Sequence, residues 1–342
     1  MDFEYKDFIS NSIDSVSSTK AKIVLEDISK QNIEELSSLK TIFTYLENEI
    51  SAHNIIKQLS FSLLILILVH LLNKIFSNAK SYNAVKYGLS VVLSLSIISP
   101  IYRDISLSIT YMKDISSFLG IFAPVAGVIT ASGGNITAAK NQGLTLSITL
   151  GVIQLILNYL LPYIVSIFIS IAVIDAIWGE RRLVSISLFF RNSFFGIFAV
   201  SISIIFVIIN FYNKAAVGND TVSAKTLKLL VSNSIPIIGG TIGEALKLLS
   251  SGIISARNTI GLTAIVFIFA LFLPQIISLW VYSLILNFFG CLCDYFEIIE
   301  LKGILSHLKC AIDFVLASFS TITILTFINI GTFMNTVPAV IL

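Results

Sequence analysis

The run GLTLSITLGVIQLILNYLLPYIVSIFISIAVIDAIW, residues 143–178, carries one charged side chain, Asp175, and one proline, Pro162. A helix needs about 20 apolar residues to cross roughly 30 Å of hydrocarbon, so this run is longer than one crossing requires. Inside lipid each backbone N–H and C=O must find its partner within the protein, and a helix supplies that partner locally. The run predicts one kinked, tilted helix or two half-helices. It sets the fold class as all-α, a polytopic helical membrane protein.

Apolar windows of the same kind occupy residues 55–76, 82–101, 183–212, 261–296 and 303–330. With the first run they predict about six spans. The window at 261–296 is also overlong and is interrupted by Pro274. Composition agrees: 56% of the 342 residues are hydrophobic and 12% charged, with a mean hydropathy of +0.91. Soluble domains carry about 25% charged residues, and a polar shell cannot be built from half that number.

Residues 1–54 hold ten acids and five bases, whereas residues 55–342 hold ten and seventeen. Apolar residues in the first segment fall at rough helical spacing (Ile23, Leu25, Ile28, Ile33, Leu36, Leu39). They predict an acidic amphipathic helical arm outside the bilayer, docked on a partner or on the membrane domain. Its charge is wrong for nucleic acid. Residues 1–18 have no basic or apolar region of a signal peptide, so either the window at 55–76 directs insertion or a leader is missing from this chain.

Two stretches, 105–141 and 222–258, fit neither a span nor a loop, and they resemble each other. The first leads into FAPVAGVITASGGNITAAKNQGLT, residues 122–145; the second leads into SIPIIGGTIGEALKLLSSGIISARNTIGLT, residues 234–263. Both run from Pro through Gly to a Ser-Gly step, then Ala-Lys-Asn or Ala-Arg-Asn, then Gly-Leu-Thr. Each Gly-Leu-Thr opens a long apolar run with one proline. Four of the six prolines therefore pair, Pro124 with Pro236 and Pro162 with Pro274. This is read as a diverged duplication, with repeat 1 at 82–178, repeat 2 at 183–296 and a closing span at 303–330.

Irregular backbone at membrane depth must face protein or a watery cavity, and matching broken segments in two halves point to a binding or translocation site. The candidate pore- or cavity-lining residues are Pro124, Gly127, Gly133, Gly134, Asn135, Lys140 and Asn141 from the first block. From the second they are Pro236, Gly239, Gly240, Glu244, Arg257 and Asn258. Lys140 and Arg257 offer fixed positive charge and Glu244 a negative one. The same glycines also suit plain helix packing.

Elsewhere the chemistry is sparse. Three histidines and three cysteines (Cys291, Cys293, Cys310) form no standard metal spacing, and no metal or cofactor is expected. Neither a nucleotide-binding loop nor a hydrolase motif occurs. Asp175, Arg191, Lys309 and Asp313 stand in or beside apolar windows, where charge is expensive and often functional; structural pairing, as of Asp313 with Lys309, is the plainer alternative. Basic residues at 73–81 and 179–182 place those connections in the cytoplasm and the N-terminus outside, although Glu297 and Glu300 run against the rule at the third connection.

The two quoted blocks within residues 113–296, above all Pro-x-x-Gly-Gly at 236–240 followed by Arg257-Asn258, resemble the stage III sporulation protein AE family of endospore-forming Firmicutes. That resemblance implies a component of the mother-cell membrane around the forespore, within a channel-like complex. Its implied partners are other stage III sporulation A proteins, including a ring-forming subunit and a cytoplasmic ATPase, with forespore-side protein Q across the intermembrane space. Members of that family usually begin with a signal sequence. The expected function is non-enzymatic: a transport or channel component, with further copies of the chain (a homo-oligomer) among its candidate partners and a membrane scaffold as the alternative. No nucleophile–base pair for an intramembrane enzyme is legible.

Overall fold

The computed structural model describes residues 10–16, 82–178, 183–234, 239–296 and 298–336, with isolated positions between 22 and 74; side chains at 82–96 (except 88), 100, 176–178, 213–250 and 299–300 lie outside this description. Six elements follow: α1 (Tyr82–Ser132), α2 (Ile136–Leu155), α3 (Leu161–Trp178), α4 (Val184–Ser234), α5 (Gly239–Tyr295) and α6 (Ile299–Asn335). A π-helical segment, Ile156–Leu160, joins α2 to α3. No strand occurs among the described residues. Among the described residues, five runs are long and apolar enough to cross a membrane: Ile97–Ser132, Ile136–Asp175, Val184–Tyr212, Ser251–Tyr295 and Leu301–Asn335. Most of the expected span at 55–76 and most of the arm at 1–54 lie outside the described residues.

Both overlong windows are single helical runs. Pro162 lacks the N–H that would bond the carbonyl four residues back, and its ring crowds that carbonyl. The chain answers with a wider turn, in which the Leu161 N–H bonds the Ile156 carbonyl, and the helix continues. Pro274 lies inside the 57-residue α5, which is α-helical throughout.

The expectation that 105–141 lies between spans is corrected. Residues 82–101 are not a separate helix; α1 runs 51 residues through Pro124 and Gly127 to Ser132. An interior proline costs about 3 kcal/mol, but Phe118, Phe122 and Ala126 are fully buried around it, and their packing holds the rod. The interruption is confined to three residues. The Gly134 N–H bonds the Ala131 carbonyl at 2.9 Å and the Asn135 N–H bonds the Thr130 carbonyl at 3.3 Å, with Gly134 at φ 82°. That is a Schellman end, and its left-handed residue favours glycine. Asn135 then starts α2, its carbonyl accepting the Ala139 N–H at 2.9 Å. The second stretch, 222–258, likewise divides between the end of α4 and the start of α5.

α6 is the hub, packing on every helix from α1 to α5. In its apolar window 67% is buried within the chain, against 17% for α4. α4 instead presents Phe189, Ile197, Val200, Val207 and Phe211 outward, as a lipid-facing helix does. The core between helices is aromatic: Phe118 stacks on Phe267 with centroids 4.5 Å apart, and Phe272 on Phe319 at 5.5 Å. Hydroxyls on α6 turn inward on their own helix, Ser318 to the Phe314 carbonyl and Thr323 to the Phe319 carbonyl, so a buried helix carries them without orphaned groups. Ile13 and Val16 join the same buried cluster.

Candidate functional site

Antiparallel packing sorts the polar residues by level. Along α1 and α5 the contacts run from Ser108 with Gln275 to Phe118 with Phe267. Along α5 and α6 they run from Ser283 with Asp313 through Phe269 with Phe327 to Gly261 with Met334. The Gly133–Asn135 turn, the start of α2, residue 212 of α4, Arg257 and the end of α6 therefore share one end of the bundle. Asp175, Ser187, Asp294 and His307 share the other.

The hairpin end has a polar interior. The Thr130 Oγ1 donates to Gln142 Oε1 at 2.9 Å across the turn. Asn141 Nδ2 donates to the Tyr212 carbonyl at 3.2 Å, tying α2 to α4. Asn329 Nδ2 donates to Thr149 Oγ1 at 2.7 Å, tying α6 to α2. Gly261 lets α6 press close, because a Cβ there would meet Met334 Cγ at 2.4 Å; small residues serve this purpose in membrane bundles. One turn earlier on the same helix, Arg257 is 2% exposed, with its guanidinium 5.9 Å from the centroid of the Phe333 ring. Among the described residues its Nε and Nη2 have no hydrogen-bond partner. Phe333 in turn meets Phe122 edge-on at 5.3 Å.

Of the residues singled out in the sequence, the structure brings Gly133, Asn135 and Arg257 inside at this end. Gly127 and Asn141 are half-buried, while Pro124, Gly134, Lys140 and Asn258 are exposed. Pro236 lies outside the described residues. Gly239 and Gly240 open α5, and Glu244 falls in its second turn.

Three further networks occupy the spans. Arg191 donates to Asp313 Oδ2 at 3.3 Å and, through Nη2, to Asn192 Oδ1 at 3.1 Å. Lys309 and Ser283 also donate to that carboxylate, at 3.4 and 2.7 Å. The pairing of Asp313 with Lys309 anticipated from spacing is therefore present, with Arg191 added to it. Nearer the opposite end, His307 Nε2 lies 3.0 Å from Asp175 Oδ2 and its Nδ1 2.6 Å from Ser187 Oγ. With the proton on Nε2 the ring donates to Asp175 and accepts from Ser187, which satisfies both nitrogens. All three residues are buried, at 0% for His307 and Ser187 and 2% for Asp175. Sequence reasoning flagged Asp175 but missed this trio, whose members are 120 and 132 residues apart; the one available signal was a histidine inside an apolar window. Between α1 and α5, Gln275 Nε2 donates to Ser108 Oγ at 2.7 Å and to the Asp104 carbonyl at 3.2 Å.

A central polar-studded helix ringed by long apolar ones, with charge networks bridging helices inside the spans, defines a polytopic α-helical membrane protein. The chain belongs to the stage III sporulation protein AE family, whose family model matches residues 19–336. It is 22% identical over 233 residues to stage III sporulation protein AE of Bacillus subtilis (strain 168), a match that covers 66% of this chain and 57% of that protein. The matched region thus spans little more than half the length of that relative. No solved structure matches.

Proposed function

We propose that this family member is a non-enzymatic membrane subunit of a transport or channel-like sporulation complex. It is seated in the mother-cell membrane around the forespore, with its N-terminus outside the cytoplasm. It works with other stage III sporulation A proteins, among them a ring-forming subunit and a cytoplasmic ATPase, since the chain carries no nucleotide-binding loop of its own. The observation that carries the reading is the hairpin end. There, parts of both duplicated blocks meet one level of the bundle, and buried polar side chains replace the aromatic core found deeper in.

Because that deeper core is closed by rings such as Phe118, Phe267, Phe272 and Phe319, the solute path runs along surfaces this subunit shares with its neighbours, including further copies of itself. A scaffold that conducts nothing is the second reading, and the same dry core favours it. An enzymatic role is set aside because Ser187, whose hydroxyl bonds His307, is fully enclosed, and a nucleophile must reach its substrate. The Ser187–His307–Asp175 trio is read as a lock between α3, α4 and α6.

Lys140 and Asn258 are exposed at the hairpin end, so altering them spares the packing. Sporulating cells carrying Lys140→Glu with Asn258→Glu should accumulate and assemble the protein normally yet pass a small fluorescent anion into the forespore at a reduced rate. Passage at the wild-type rate with assembly intact favours the scaffold.

A further inference from the structure

Arg257 presents a different case from every other charge described within the spans. Its guanidinium stays protonated in any protein environment, and an enclosed charge without a partner is strongly unfavourable. The Phe333 ring offsets only part of that cost. Nε and Nη2, which have no partner among the described residues, form one edge of the planar fork and point their hydrogens in parallel. Two parallel N–H groups match two oxygens of a carboxylate or phosphoryl group, and the match is both tighter and more selective than a point charge gives. A second enclosed donor at this end of the bundle, Gln142 Nε2, also has no partner among the described residues; its Oε1 is taken by Thr130.

We infer that Arg257 is the anchor of an oxyanion-binding site at the hairpin end of the bundle, taking a carboxylate or phosphoryl group on its Nε/Nη2 edge above Phe333. The inference goes beyond the transport reading and does not depend on it, because binding is measured on the isolated protein. The shared chemistry is a singly or doubly charged oxyanion, supplied by a free solute or by a phospholipid headgroup. Chloride has no second oxygen for the fork and binds weakly.

The test uses the full chain purified in maltoside detergent, which contains no phosphate or carboxylate. Thermal unfolding and isothermal titration are recorded with sodium phosphate, sodium acetate or sodium chloride, and separately after adding phosphatidylglycerol. Wild type should gain stability from phosphate and acetate but not from chloride at equal ionic strength. Arg257→Met should lose that response, with affinity falling at least about tenfold, and should be as stable as wild type in anion-free buffer. Arg257→Lys keeps the charge without the fork and should bind more weakly than wild type. A response confined to phosphatidylglycerol and lost in Arg257→Met assigns the headgroup as the source and supports the site. Equal responses in wild type and Arg257→Met overturn the inference. So does marked destabilisation of Arg257→Met in anion-free buffer, which would mean that the guanidinium is already paired within the chain.

Discussion

Two arginines in the membrane-spanning helices have opposite surroundings. Arg191 is 22% exposed along its side chain and meets Asp313, which also receives Lys309 and Ser283. Arg257 is almost wholly enclosed and meets an aromatic face and two unmet donor directions. The first arrangement satisfies its charge within the fold and ties α4 to α5 and α6. The second leaves a charge for something outside the chain to satisfy. Intramembrane charge is thus a structural fastening at one level of this bundle and a recognition element at another, and hydrogen-bond satisfaction separates the two.

Substitutions can break this contrast at graded cost. The largest effect is expected at the enclosed trio. His307→Ala removes the partner of Asp175 and of Ser187 together, leaving a buried carboxylate unmet, and should lower stability by about 3–4 kcal/mol. Chemical or thermal unfolding in detergent, followed by helical circular dichroism, reads it. Asp313→Ala should cost less, about 2 kcal/mol, because Arg191 and Lys309 each keep 22% exposure and can reach water. Gly134→Ala forces a Cβ into the left-handed region at φ 82° and should cost about 1 kcal/mol by the same measurement, with the helices themselves intact. Arg257→Met should sit at the bottom of the series, with no loss in the absence of an oxyanion. An order in which Arg257→Met is the most damaging of the four would erase the distinction.

Much of this was legible in the sequence. Long apolar runs with few charges dictate helices in lipid, and length alone made residues 143–178 and 261–296 too long for a single perpendicular crossing. Asp313 and Lys309 stood four apart, so their contact follows from helical geometry. Arg257 drew notice as a charge beside a glycine-rich block. What misled was proline. Pro124 and Gly127 read as a break, yet fully buried aromatic neighbours keep α1 continuous, and the chain turns only at Gly134, where a left-handed residue is needed. Local propensity is a weak guide when tertiary burial outweighs it. The trio of Ser187, His307 and Asp175 was illegible for another reason: His307 reaches Ser187 and Asp175 from 120 and 132 residues further along the chain, and serine is too common in this chain for its position to signal anything.

The most direct test of the contrast between an anion-receptive, polar hairpin end and an aromatic interior is reaction with a membrane-impermeant, negatively charged thiol reagent. In a background with Cys291, Cys293 and Cys310 replaced by alanine, Gln142→Cys and Ser318→Cys are compared in intact membranes. The account predicts that residue 142 is labelled, that phosphate slows its labelling, and that residue 318 is not labelled. Labelling at neither position, or equally at both and indifferent to phosphate, would contradict it.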